Sequence, residues 1–191
     1  MKKVIILAMI SVVGMSSCQD NNDQPQFGYV DEKLNEIVGL IEQSSDVDDA
    51  LLIETLLNYT IIPSYSFIEV EEGWKPNNAP DTSICAGIIF HETEIYVYGC
   101  MAWEESLTKY GGYRYSYDAE SNILYTSSIL HDFTYSCKVE YFDGQNLILD
   151  GLFAPTDDIY NDNYAQRRVI SEFVVDKEIR KSLEDGTFKI E

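Results

Sequence analysis

The stretch Ile84-Cys85-Ala86-Gly87-Ile88-Ile89-Phe90, then His91-Glu92-Thr93, then Glu94-Ile95-Tyr96-Val97-Tyr98-Gly99-Cys100 decides the fold class. Both flanking runs are rich in Ile, Val, Phe and Tyr, which suit a pleated, half-buried surface. A short polar break between two such runs reads as a hairpin. With Glu92 and Thr93 as a two-residue turn, His91 faces Glu94, Phe90 faces Ile95, Ile88 faces Val97 and Ala86 faces Gly99. The last three pairs make a wholly apolar face, which is expected to point into a core. The opposite face carries Ile89 with Tyr96, Gly87 with Tyr98 and Cys85 with Cys100. The register thus sets Cys85 and Cys100 against each other, either as a disulfide or as close reduced thiols. Cys137 is then expected as a buried thiol on another strand.

The same texture continues outward. Runs at 65–71, 112–118, 122–128, 133–142, 146–153 and 168–175 read as further strands. Turn chemistry separates several of them, including Pro76 to Pro80, Gly111-Gly112, Asp118 to Asn122 and Asp143-Gly144. Upstream, Val30, Leu34, Ile37, Val38 and Ile41 recur at helical spacing and predict a helix over 29–44. A second helix is expected up to Asn58, capped by Ser45 or Asp46, with Asp48 and Asp49 in its first turn. The acids Asp46, Asp48 and Asp49 therefore read as capping, not as a metal site. A last short helix is expected from a cap at Asp176 to Leu183, with Gly186 ending it. The expected fold is mainly β within the α+β class: two N-terminal helices, then an antiparallel meander of about eight strands. Such a meander either closes into a barrel or forms a strongly curved sheet. The organisation expected is a leader over 1–17, a tether over 18–28 and one domain over 29–191. Within that domain, 29–60 is helical, 64–175 is the meander and 176–191 is a helix and tail.

The 191 residues include 33 Asp plus Glu and 13 Lys plus Arg, for a net charge of −20. A nucleic acid needs a basic face, which this composition does not provide, so no nucleic-acid partner is expected. Electrostatic docking on an anionic membrane is disfavoured for the same reason. Loss of residues 1–17, which hold Lys2 and Lys3 and no acid, would take the charge to −22.

Membrane attachment is expected by another route. Lys2 and Lys3 precede an apolar run from Val4 to Met15, too short to span a bilayer and shaped like a secretory leader. It ends in Met15-Ser16-Ser17-Cys18. This resembles the lipobox of bacterial lipoproteins, which implies lipidation of Cys18 after cleavage. The polar stretch Gln19 to Gln26 that follows resembles the acidic tether of Bacteroidota lipoproteins, with Asp20 and Asp23 as its charges. Together these imply a location at the outer membrane, on its periplasmic or cell-surface side.

A second resemblance is carried by Tyr115-Ser116-Tyr117-Asp118, by Asn122-Ile123-Leu124-Tyr125 and by the run from Cys137 through Asp143-Gly144 to Leu149. These hairpins, ending in turns such as Asp-Gly and leading into apolar strands, resemble small lipocalin-like lipoproteins. The resemblance implies a β-barrel with a possible ligand cavity.

Candidate binding residues are aromatic. The chain has 14 tyrosines. Tyr113, Tyr115 and Tyr117 share one strand face, and Tyr96 and Tyr98 share a face of the preceding strand. If those faces adjoin they form an aromatic wall, to which Trp74 and Trp103 could add. Tyrosine offers a ring and a hydroxyl, which suit an apolar or glycan ligand or a peptide. Cross-strand packing in a β-protein selects the same residue. The loop from Asp157 to Tyr164 offers oxygen ligands but lacks the glycine and distal glutamate of a calcium loop, so no metal and no cofactor are expected. His91 and His131 sit near turns, and no hydrolase, zinc-protease or nucleotide motif occurs. The functional expectation is a lipid-anchored, non-enzymatic cell-envelope protein binding a small apolar or glycan ligand or a partner protein. A structural role in an outer-membrane complex is the alternative, and a carboxylate-dependent hydrolase the third.

Overall fold

A computed structural model describes residues 26–189 apart from 45, 72, 78–82, 102–106, 130–133 and 158–167. The expected leader, Cys18, Trp103, His131 and most of the acidic loop lie outside the described residues. The order is α1 (Gln26–Gln43), α2 (Asp49–Asn58), β1 (Thr60–Val70), β2 (Gly73–Pro76), β3 (Ser83–Phe90), β4 (Glu94–Met101) and β5 (Thr108–Asp118). Then come β6 (Ile123–Ser128), β7 (Thr134–Phe142), β8 (Asn146–Gly151), α3 (Ala154–Asp157), β9 (Val169–Asp176) and α4 (Arg180–Glu184).

The meander closes. β1 and β3 to β9 form an antiparallel barrel of eight strands, with β9 returning to pair with β1, and β2 adds a short hairpin strand to β1. An even number of alternating strands brings the last one back antiparallel to the first, so closure needs no crossover. The barrel, and not the open curved sheet, is therefore the arrangement adopted.

Alternation along each strand divides the apolar residues between two sides. Inside lie Ile61, Ile88, Phe90, Ile95, Val97, Leu124, Cys137, Val139, Leu147, Leu149 and Phe173, joined by Leu52 and Leu56 of α2 and by Phe153. Phe153 stacks on Phe90 at 6.2 Å and meets Phe173 edge-on at 5.6 Å, so rings fill the middle of the barrel. Each such buried side chain contributes about 1.5–3 kcal/mol.

Two outer faces are also apolar, and helices cover them. α1 lays Ile37 against Phe67, Ile148 and Ile170. Beneath it Lys33 bonds Glu36 and the buried Glu172, each at 3.0 Å. α4 lays Ile179 and Leu183 against Ile89 and Tyr98. Asp48 accepts a hydrogen bond from the N–H of Leu51 at 3.0 Å, so Asp48 caps α2, and not Ser45 or Asp46. α2 passes into β1 with only Tyr59 between, and its apolar side plugs that end of the barrel.

Bulges bend the wall at Ser64, Ala86 and Glu140 and at the pair Gly111-Gly112. Such extra residues let a sheet turn a barrel corner. Gly112 has φ +102°, a conformation that side chains rarely adopt, which explains the glycine pair. The pair is therefore part of β5 and not a turn ahead of it.

Candidate functional site

The hairpin register holds from Phe90↔Ile95 to Gly87↔Tyr98 and then slips at Ala86, so Cys85 faces Gly99 and Ile84 faces Cys100. The expected Cys85–Cys100 facing pair is thus not formed. The bulge turns Cys85 toward the interior, while Cys100 stays on the outer side with Tyr96 and Tyr98. No disulfide joins Cys85, Cys100 and Cys137. Burial pushes the Cys85 thiol up to about 12, against a small opposing effect from the N–H of Gly87. Cys137 is buried and donates to the carbonyl of Leu124 at 3.5 Å.

The two tyrosine sets do not adjoin. Ile95 faces Tyr113 across β4 and β5, so Tyr113, Tyr115 and Tyr117 share the inner side with Ile95 and Val97. Tyr96 and Tyr98 point outward, where Lys109 lies over both rings, at 3.7 Å and 6.0 Å from their centroids. No wall joins the five. Tyr96 donates to Glu94 at 2.6 Å, and Tyr98 is buried beneath α4.

Two of the inner tyrosines are committed to closing the barrel. Tyr115 donates to the carbonyl of His91 at 2.7 Å and packs edge-on against Phe90 at 4.9 Å. Tyr117 donates to Asp49 of α2 at 2.6 Å and lies 3.1 Å from the Asn122 amide oxygen. Burial and the bond to Asp49 together push its phenol well above the ordinary value. Trp74 packs against the α1 face and carries Arg168 over its ring at 5.6 Å, while Arg168 Nε bonds both carboxylate oxygens of Asp150 at 2.9 and 3.1 Å. It lies outside the barrel, away from the interior.

The remaining inner tyrosines lie toward the end opposite α2. Tyr110 faces Val97, Ser128 faces Tyr113, and Tyr135 faces Thr126. By register all of them turn to the inner side. Tyr110 nevertheless keeps 43% of its surface exposed. Beside this rim the chain re-enters the barrel: Phe153 and Ala154 are fully buried, and the Ala154 N–H donates to Thr126 Oγ1 at 2.9 Å. Tyr110, Tyr113 and Tyr135 thus lie on the inner side of strands that run to this end, and Phe90, Phe153 and Phe173 pack ring against ring in the interior. Sequence reading missed Tyr110 and Tyr135. Tyr135 was accessible through the alternation Tyr135, Cys137, Val139. Tyr110 was not, because the Gly111-Gly112 bulge reverses its side relative to Tyr113.

His91 lies at the other end, its ring edge-on to Tyr96 at 5.2 Å and its Nε2 3.9 Å from Glu184. The described residues contain no group of three metal-binding side chains, and none of their helices is long and apolar enough to cross a membrane. Comparison with protein-family models, curated proteins and solved structures finds no match for this chain.

Proposed function

We propose that this chain is a lipid-anchored cell-envelope protein, not an enzyme, that binds a neutral glycan at the mouth of its barrel. The observation that carries the reading is Tyr110, which the register turns to the inner side but which is left 43% exposed, on the strand that also carries Tyr113. Sugars offer C–H faces to such a ring and hydroxyls to its phenol. The filled floor favours a ligand held at the rim over one enclosed in the barrel. A net charge of −20 favours an uncharged ligand over an anionic one. Attachment through Cys18 would keep the domain near the membrane, since residues 19–25 reach at most about 25 Å when fully extended.

Titration with neutral oligosaccharides, read by tyrosine fluorescence, tests the binding. Saturable binding that weakens about tenfold or more in Tyr110→Ala is the expected result, the loss of roughly 1.4 kcal/mol or more. Binding that is equally strong in that variant would refute the mouth. Cys18→Ala should move the protein from the membrane to the soluble fraction, and retention at the membrane would refute the anchor.

A structural role is the second reading. Leu51, Ile53 and Val174 are exposed apolar residues, each at least 39% open to solvent, on α2 and near the end of β9. They lie away from the mouth and would suit contact with another envelope protein.

A further inference from the structure

The barrel wall is unevenly joined. β1 faces β9 from Thr60 to Ile68, but it faces β3 only at Thr60↔Ile89 and Ile61↔Ile88. Pro63 follows, with no N–H to give, and the bulge at Ser64 bends β1 away. Beyond that point the edge of β1 pairs with β2 instead, from Phe67 to Val70. The β1–β3 junction is therefore a short seam.

The C-terminal segment lies across it. The Arg180 guanidinium donates to the Tyr59 carbonyl at 3.1 Å and to the Phe90 carbonyl at 2.9 Å, one on each side of the seam. A planar fork can bridge two acceptors in this way, and a lysine ammonium lacks that fixed geometry. Ile179 and Leu183 bury the outer side beside Ile89 and Tyr98. Gly87 makes this fit possible: a Cβ there would stand 2.4 Å from Thr60 Cγ2 and 3.1 Å from Leu183 Cδ1. The segment is fixed at its start by Asp176, which accepts from the N–H groups of Glu178 and Ile179 at 2.8 and 2.9 Å.

The seam also carries an unmet polar group. Thr60, which opens β1 at the seam, is fully buried and its Oγ1 has no hydrogen-bond partner among the described residues. A buried polar atom without a partner costs about 1–3 kcal/mol, a cost that opening to water removes. It therefore weakens the junction.

We infer that residues 177–188 form a clasp, and that its release opens the barrel sideways between β1 and β3 while the rest of the wall stays paired. With Leu52 and Leu56 of α2 and Phe153 packed inside the barrel, opening this seam would give water or a ligand access to the inner side of β3. Cys85, turned inward on β3, reports on that route.

Hydrogen exchange and cysteine alkylation mapped by mass spectrometry test the clasp, with Arg180→Lys as the variant. Amides at 59–62 and 84–90 should exchange on the order of tenfold faster, the loss expected for one hydrogen bond from a charged donor. Cys85 alkylation should rise in step, while Cys137 and the amides of β6 to β8 stay unchanged. An equal increase in every strand, or no increase at 84–90, overturns the proposal. If the variant does not fold, exchange of the unaltered protein in low denaturant decides. The seam amides must then open before those of β7 and β8, and simultaneous opening of all strands overturns it.

Discussion

At the α2 end of the barrel the chain reverses over residues 91–93, 119–122 and 143–145; the connections at the other end lie largely outside the described residues. The first set is short and self-bonded. Asp118 accepts from Ser121 Oγ at 2.7 Å and from the Glu120 N–H at 3.1 Å. Asp143 accepts from the N–H groups of Asn146 and Gln145 at 2.7 and 2.8 Å. α2 then covers this end with Leu52 and Leu56. Toward the opposite end, Phe153 and Ala154 turn into the barrel directly after β8 and are fully buried, and Tyr110 and Tyr135 lie on the strands that run there. One end is thus specified by local turn chemistry, the other by a long-range contact.

The largest expected effect comes from removing the plug. Phe153→Ala deletes a ring that contacts both Phe90 and Phe173 and is fully buried. The cost should be about 3–5 kcal/mol, read by urea denaturation. A loss under about 1 kcal/mol would show that the mouth closes without this segment, and the contrast between the ends would fail.

The same contrast governs what could be read from the residues. The barrel was legible because most strands alternate cleanly and end in recognisable turns. The hairpin at 84–100 was legible as far as Gly87, and then Ala86 added a residue that no local pattern announces. The face of the tyrosine row was also within reach. Arg114, Ser116 and Asp118 are polar and belong outside, so Tyr113, Tyr115 and Tyr117 had to turn inward with Ile95 and Val97. Tyr96 and Tyr98 looked equivalent but needed knowledge of α4, which covers their side of the sheet. β2 and the first half of β1 escaped notice because Pro63 reads as a break. In the barrel it marks the place where β1 leaves β3. The placement of the rim tyrosines depended on the Gly111-Gly112 bulge and on Phe153 turning inward just after β8, both products of tertiary structure.

A smaller and more discriminating comparison uses one residue type at both ends. Tyr117→Phe removes a hydroxyl that donates to Asp49 at 2.6 Å and ties β5 to α2. Because the acceptor is a carboxylate, the loss should be about 1.5–3 kcal/mol. Tyr110→Phe removes a hydroxyl from a ring that is 43% exposed at the mouth, and stability should change by no more than about 0.5 kcal/mol. Chemical denaturation of the two variants side by side checks both values. Equal losses would mean that the rim tyrosine is as structural as the sealing one, which removes the physical reason to place recognition at the mouth. A loss at Tyr117 alone would leave Tyr110 as an exposed inner-side residue without a stabilising duty, and so available to a ligand.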